Sequence, residues 1–484
     1  MGSLTIQNLA TSVLGFVFVA TLLRLLPQEQ YGIYSAVLLS TGIASTCAIF
    51  GLNTATTRYF ALLSEQDEAS SWVAARKIFL LSIIFSVAST AVFLIISPFL
   101  SIYFTKGESW TWIFYLGGAY LLLSSLAAVS QGVIQGMKKY GLLAKIIFVS
   151  RIVMTVFAVA VLEVEHNIAW AIVSWLVYNV LILGLSLYFT APKMIRAKGS
   201  FDYSRIMKYT VPLGVAGIIT VLSSSADQVV VGGYLTPVSL GVYNAAITVS
   251  GVLGIVLLTS LTTALLPEAA SSSIQTTIAN GFRLAIRFAM LGLLPASFLM
   301  AAVAPQLLSL FTGGRGYLAG AGSLELISLF YIFSAVQTIS LTMLQAIGKT
   351  KQVMIVGAIA ATTDVLLAIS LVPMFGIIGA AASKAAVFLI GSLISIYLLR
   401  DYAKGLDRAS FYLKGVVAAM IPFAFIASLS HFVTSRLLTL VPYSICYFAL
   451  FLVCIKFTKL LTEEDRNFLS YILPQSTKKY VKYL

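Results

Sequence analysis

The sequence predicts an all-α integral membrane protein of about fourteen transmembrane helices, and three observations carry that expectation. The 484 residues are 59% hydrophobic and only 10% charged, where a soluble domain carries about 25% charged residues. Apolar runs of about 20 residues, each able to span roughly 30 Å of hydrocarbon as a helix, recur along the whole chain. The basic residues gather at alternate ends of those runs, as the positive-inside rule requires.

The first segment, 4–25, has neither a basic leader nor a convincing small-residue cleavage site, so it reads as a helix and not as a cleaved signal peptide. The segments that follow are centred on 33–57, 78–104, 111–135, 143–163 and 167–190, then on 209–232, 239–266, 282–304, 323–346, 352–373 and 377–399. The last two are 411–430 and 438–460. Runs such as VLGFVFVATLL (13–23) and AVFLIISPFL (91–100) are apolar throughout. They do not alternate apolar with polar as the strands of an outer-membrane barrel do. No connection leaves room for a soluble domain. Cys47, Cys446 and Cys454 sit inside apolar segments as small hydrophobes. His166 and His431 lack partners at ligand spacing, so no metal site is expected.

The net charge of +14 points to topology and not to nucleic acid. With a cytoplasmic N-terminus, 25 of the 31 basic residues fall in inner loops, inner helix ends or the tail, including Arg58, Lys138, Lys198 and Lys456. The outer side receives Arg24, Lys106, Arg315 and Arg436, while Arg151 and Lys384 lie within helices. That asymmetry sets both termini in the cytoplasm and supports an even number of spans.

An internal repeat is also legible. Tyr31-Gly-Ile-Tyr-Ser-Ala opens segment 2 and Leu240-Gly-Val-Tyr-Asn-Ala opens segment 8, an offset of 209 residues that also aligns Gly42 with Gly251. At an offset of 210, Ile134-Gln-Gly-Met-Lys-Lys matches Leu344-Gln-Ala-Ile-Gly-Lys. Two matches in one register indicate duplication. The offset covers an even number of segments, so both copies face the same way, as a parallel repeat. The expected organisation is an N-lobe at 1–190 (segments 1–6), a basic cytoplasmic linker at 191–208 and a C-lobe at 209–400 (segments 7–12). Segments 13–14 and a cytoplasmic tail follow at 401–484. Parallel repeats of this size recur in secondary transporters, whose substrate path runs between the lobes.

LPQEQYGIYSAVLLS (26–40) with GLNTATTRYFA (51–61), SSSADQVVVGGYLTPVSLGVYNAA (223–246) and LVPMFGIIGAAASKAAVFLIGSL (371–393) resemble polysaccharide-exporting flippases of the multidrug/oligosaccharidyl-lipid/polysaccharide superfamily. The motifs are loose, but their order and spacing cover essentially the whole chain. The resemblance implies a V-shaped pair of six-helix bundles working by alternating access on polyprenyl-(pyro)phosphate-linked oligosaccharides at the plasma membrane. It implies membrane lipids and a lipid-linked glycan as partners, a monomer working beside glycan polymerase or glycosyltransferases, and no cofactor. Whether Na+, H+ or the membrane potential drives the cycle is open. One departure is Asp364, where such proteins often carry Asn.

Ionisable groups inside the membrane are costly and mark functional positions. At about 1.5 Å per residue, Asp364 lies about 18 Å up segment 11 and Lys384 about 10 Å down segment 12, at similar depth. A structural ion pair and a phosphate-holding Lys384 oriented by Asp364 are both open. Arg151 lies about 12 Å into segment 5, and Asp227 about 27 Å up segment 7, within reach of Arg24. Arg24, Arg58, Arg151 and Lys384 are therefore the candidate substrate-binding cations, although Arg24 and Arg58 also suit headgroup anchoring. Asp227 and Asp364 are the candidate gate or coupling carboxylates. A cation-coupled drug antiporter is disfavoured because segments 1–6 hold no carboxylate in their central spans. A lipid-linked peptidoglycan precursor remains a rival substrate. A membrane-embedded glycosyltransferase or polymerase is disfavoured, because the short outer loops lack the carboxylates, His or metal ligands that such chemistry needs.

The topology has a direct check. Introduced into a chain freed of Cys47, Cys446 and Cys454, Lys198→Cys is expected to resist an impermeant thiol reagent on intact cells and to react after permeabilisation. Labelling on intact cells would invert the orientation.

Overall fold

Hydrocarbon offers no hydrogen bonds, so each backbone N–H and C=O must be satisfied within its own element. The computed structural model describes residues 2–65, 67–107, 109–199, 201–254, 275–314, 316–403, 406–432, 439–458 and 460. Among the described residues it is all-helical, with no strand and with eleven helices long and apolar enough to cross a membrane. The chain is a multi-pass membrane protein. The part of segment 8 past residue 254, Arg315, Arg436 and the tail beyond Leu460 lie outside the described residues.

The chain divides into two compact units. The first comprises residues 1–244 and 361–380. It holds α1 (Gly2–Leu25), α2 (Gln28–Ile49), α3 (Leu52–Ser64), α4 (Glu68–Thr105), α5 (Thr111–Gly136), α6 (Tyr140–Leu162), α7 (Ile168–Arg196) and α8 (Tyr203–Tyr234), with the start of α9 (Pro237–Leu253). Where segment 2 predicts one helix over 33–57, the structure breaks it. Phe50 (φ 41°) and Gly51 (φ 76°) both turn left-handed there, and glycine makes such a break cheap. The 38 residues of α4 extend about 57 Å, well beyond the hydrocarbon thickness. Its first turns pack Trp72, Val73 and Ala75 against Phe60 of α3 and Val133 of α5. Asp67 caps it by accepting from the amides of Ala69 and Ser70.

Small residues let these helices approach closely, as membrane interfaces favour. Along α4, Ser82, Ser86, Ser97 and Ser101 are fully buried. Ser82 and Ser97 return their hydroxyls to the carbonyls of Phe79 and Phe93, while Ser125 of α5 donates to Ser86 at 2.7 Å. The tightest approach joins the first turns of α2 and α9. A Cβ at Gly32 would overlap the carbonyl of Pro237, and one at Gly241 would press on the backbone of Gly32 and the carbonyl of Gln28. Gln28 and Pro237 stand at the same 209-residue offset as Gly32 and Gly241, so the contact is reciprocal.

The second unit comprises residues 245–360 and 381–484. It contains α10 (Gln275–Phe288), a π-helical turn at Ala289–Leu293, α11 (Leu294–Ala302), α12 (Ala304–Thr312), α13 (Ala321–Ala346), the ends of α14 (Thr350–Leu398), the short α15 (Arg400–Ala403), α16 (Ala409–Phe432) and α17 (Leu440–Thr458). The π turn sits just before Pro295, whose missing N–H disturbs the α-helical ladder. Gly376 (φ 59°, ψ −139°) interrupts α14 three residues after Pro373. Arg287 of α10, 4% exposed, donates to Asp407 at 2.9 Å and stacks its guanidinium on Phe411. This pins α10 to the start of α16.

Gly32→Ala is expected to lower the thermal midpoint of the detergent-purified protein, by an overpacking cost of about 1–3 kcal/mol. Gly42→Ala, at a position with open space around it, is expected to leave the midpoint unchanged or raise it.

Candidate functional site

Arg151 occupies the middle of α6 (Tyr140–Leu162), inside the helical bundle and half-buried. Its guanidinium carbon lies 5.1 Å from the ring centre of Trp175 and 5.4 Å from that of Tyr178, both on α7. Trp175 is fixed by its indole N–H, which donates to the Tyr34 hydroxyl of α2 at 2.8 Å. Phe18, Tyr120 and Tyr178 meet it edge-on, with ring centres 5.6–5.9 Å away. Among the described residues, no oxygen accepts a hydrogen bond from Arg151. Its Nη1 approaches the Met154 sulfur at 3.5 Å and its Nε is buried without a partner. Cation–π contacts contribute about 0.5–2 kcal/mol each, against about 2.5–3.5 kcal/mol or more for an arginine at the centre of a membrane helix. The rings offset much of the cost of the charge but leave its hydrogen-bonding fork unused.

The carboxylates are held differently. Asp227 of α8 is fully buried and accepts from the Tyr243 hydroxyl of α9 at 2.5 Å. Asp364 of α14, 1% exposed, lies close enough to interact electrostatically with the same phenol. Sequence depth sets Asp227 at the level of Arg24, and the structure adds Tyr243 as a hydrogen-bond partner. Lys384 is half-buried on α14. Arg24 is exposed at the end of α1, and Arg58, also exposed, stacks at 4.3 Å over Tyr209 of α8. Among the described residues, no three His, Cys, Asp or Glu side chains gather as a metal site.

Composition does not single out Tyr34, Trp175, Tyr178 or Tyr243, since aromatic stripes in membrane helices usually serve packing. One signal did exist: Tyr34 and Tyr243 are the matched tyrosines of the internal repeat. Lys106, expected only as an outer-side charge, caps two helix ends. Its ammonium donates to the carbonyls of Tyr103, Gly232 and Gly233 at 2.9, 3.3 and 2.5 Å. Beside it, an apolar cavity of about 770 Å³ runs between α2, α4 and α8, walled by residues such as Ile43, Phe85, Phe99 and Val229.

Residues 21–315 match the family model for polysaccharide biosynthesis protein. No curated protein matches the chain by sequence. Among solved structures, a lipid II flippase, MurJ, in an inward closed conformation superposes with a TM-score of 0.79 at 15% identity, covering 94% of this chain and 98% of that one. An inward-facing multidrug resistance MATE transporter of the MOP superfamily gives a TM-score of 0.68 at 14% identity, covering 88% and 99%. A MOP superfamily transporter from Pyrococcus furiosus, whose title speaks of a binding pocket of reverse polarity, gives 0.59 at 14%, covering 84% and 96%. At these identities the likeness establishes the shared fold.

Tyr243→Phe removes the donor to a buried carboxylate and is expected to cost about 1–3 kcal/mol of stability, read as a lower thermal midpoint. Asp227→Asn, which leaves a neutral acceptor for the phenol, is expected to cost less.

Proposed function

The chain belongs to the polysaccharide biosynthesis protein family, and on that premise we propose that it flips a polyprenyl-(pyro)phosphate-linked oligosaccharide from the cytoplasmic to the outer leaflet. The observation that carries this reading is Arg151, a cation held at mid-helix in an aromatic box, with no oxygen acceptor among the described residues. A charged head cannot cross bare hydrocarbon at tolerable cost, so it travels through a cation-lined path while the prenyl tail stays in lipid. Arg24, Arg58 and Lys384 join Arg151 as the proposed lining. Asp227 and Asp364 are the proposed gate or coupling pair, acted on through Tyr243.

The proposed architecture has fourteen spans in two parallel repeats, residues 1–190 and 209–400, joined by the linker 191–208 and followed by two further spans. The helix counts support it: one of the eleven long helices, Lys351–Leu398, is divided at Gly376, and Thr11–Leu25 and Pro237–Leu253 are shorter apolar helices. The reciprocal contact of Gly32 with Gly241 supports a two-fold relation between the repeats. Rocking of one repeat against the other would expose the head alternately on each side. On the proposed orientation, both termini are cytoplasmic, the membrane is the plasma membrane, and the Gly32–Gly241 contact closes the outer side. No chemical step is assigned to the chain.

The likeness to a lipid II flippase favours a second substrate, a lipid-linked peptidoglycan precursor, by the same mechanism. In proteoliposomes carrying a fluorescent lipid-linked glycan, the wild-type protein is expected to expose the label to an external quencher. Arg151→Gln, and the double change Asp364→Asn with Lys384→Gln, are each expected to slow this at least about tenfold, the loss of roughly one charge-assisted hydrogen bond. Full activity in the double variant would reduce Asp364 and Lys384 to a structural role. Chemical conversion of the glycan would replace transport by catalysis.

A further inference from the structure

We propose that the apolar groove between α2, α4 and α8 seats the prenyl chain of the carried lipid, and that it selects chains long enough to reach through both leaflets. This rests on the flippase reading and adds to it how the tail is recognised.

The groove is built into the packing of the first unit. α8 crosses its neighbours closely at two levels, and glycine stands at each crossing. A Cβ at Gly214 would overlap the Phe50 ring, and at the far end Cβ atoms at Gly232 and Gly233 would overlap the rings of Phe104 and Tyr103. Lys106 ties that far end again, by donating to the carbonyls of Gly232 and Gly233. Between the two crossings α8 stands away from α2 and α4, and the cavity of about 770 Å³ runs from Phe50 and Phe85 to Tyr103 and Phe104. Phe85 and Tyr103 are 18 residues apart on α4, which is about 27 Å of helix.

The wall admits hydrocarbon and little else. Its hydroxyls are already used: Ser40 donates to the carbonyl of Ala36 at 2.8 Å, Ser89 to that of Ala44 at 3.1 Å and Tyr103 to that of Val229 at 3.3 Å. Water needs about two to four polar partners, and a compact drug-like ligand needs a few convergent polar groups to orient it. The wall offers neither. Val92, Ile96 and Phe99 are exposed along it, and an apolar opening set within a span meets lipid, not water.

Dimensions then choose among hydrocarbons. Spread over its length, the cavity has a cross-section of roughly 30 Å², whereas a helix about 10 Å across needs about 80 Å². It is one chain wide. An acyl chain belongs to one leaflet, about half of the roughly 30 Å of hydrocarbon, and would fill half the groove. A polyprenyl chain runs the whole length and displaces an acyl chain from each leaflet. Protein and lipid are equally apolar here, so packing and the release of ordered lipid decide the exchange. A groove that passes the midplane also holds the tail with the head on either side, as flipping requires.

The test uses the full chain in detergent and undecaprenyl phosphate carrying a diazirine on its chain, with the photolabelled peptides mapped by mass spectrometry. Label is expected on the peptides of α2 and α4 that contain Cys47 and residues 85–104. Unlabelled undecaprenyl phosphate is expected to compete about tenfold or more better than farnesyl phosphate, whose chain is too short to pass the midplane, or a phosphatidic acid. Cys47→Phe with Ala88→Phe places two rings at exposed positions of the wall and is expected to lower labelling, and flipping in proteoliposomes, at least about tenfold. Ile95→Phe, exposed on α4 but outside the wall, is expected to change neither. Elution of each variant as a single folded species guards against a collapsed bundle. Label confined to other helices, equal competition by farnesyl phosphate or phosphatidic acid, or full labelling of the filled variant would each overturn the groove. Wild-type flipping in a filled variant that no longer labels would overturn it too and leave the flippase reading intact. If the wild-type protein labels in the groove but flips no lipid-linked glycan, the flippase reading falls and the prenyl site stands.

Discussion

Inside a membrane the backbone has no solvent to fall back on, and most of the architecture follows from that constraint. Each span closes its own hydrogen bonds, so the chain becomes a set of helices and the remaining choices concern where a helix is allowed to stop. The interruptions occur where the residues make them cheap: Phe50 and Gly51 between α2 and α3, a π turn ahead of Pro295, and Gly376 three residues past Pro373. The same constraint governs the buried hydroxyls. The serines of α4 bond back to their own helix or to a neighbouring one, as Ser86 does with Ser125 of α5. They act as small residues that admit a neighbour and need no water.

Charge is the second thing the bilayer will not dissolve, and the chain handles the two signs in parallel ways. Tyr34 and Tyr243 are repeat partners at an offset of 209, yet their hydroxyls serve opposite neighbours. Tyr34 accepts from Trp175, which backs the Arg151 guanidinium, while Tyr243 donates to Asp227 and stands near Asp364. A phenol can donate or accept, so two tyrosines matched at that offset back a cation in one place and a carboxylate in the other. On the repeat reading, Trp175 of segment 6 and Lys384 of segment 12 stand at the same offset of 209, while Arg151 and Asp364 lie on corresponding segments 5 and 11 but not at matching positions. In the proposed cycle, the cation would serve an anionic cargo and the carboxylates a coupling ion or the field across the membrane.

The helical class and the approximate position of each span were legible because hydrophobic length alone decides them. Segments 4 and 10 (111–135 and 323–346) fall almost on α5 and α13 (Thr111–Gly136 and Ala321–Ala346). What hydropathy misses is anything that depends on packing beyond the hydrocarbon. The first ten residues of α4 are too polar to register as a span, yet they are helical because Trp72, Val73 and Ala75 bury against α3 and α5. Arg287 looked like one more inner-surface charge, but its pairing with Asp407 across 120 residues has no local signature. The candidate charges were found by rarity, a sound guide to which residues matter and a poor guide to their partners. Depth along a helix fixes one coordinate of three, so it sets Asp227 at the level of Arg24 and carries no sign of the Tyr243 hydroxyl that donates to Asp227 from the next helix.

On the repeat reading, the contact between α2 and α9 explains why glycine stands at both matched positions. Two helices related by a two-fold axis meet at equivalent positions, and any side chain at the axis meets its own counterpart. Only a residue without a Cβ lets the backbones touch, and Gly32 and Gly241 do so with Gln28 and Pro237 flanking them in the same exchanged arrangement. At the glycines themselves the contact is backbone against backbone, with no side chain interposed. This contact is the outer closure of the proposed cycle, and the energy that sets its position comes from what binds elsewhere in the bundle. In the proposed cycle that means cargo on the cationic side and a coupling ion or field on the acidic side, each shifting the balance by no more than the difference in its affinity for the two states.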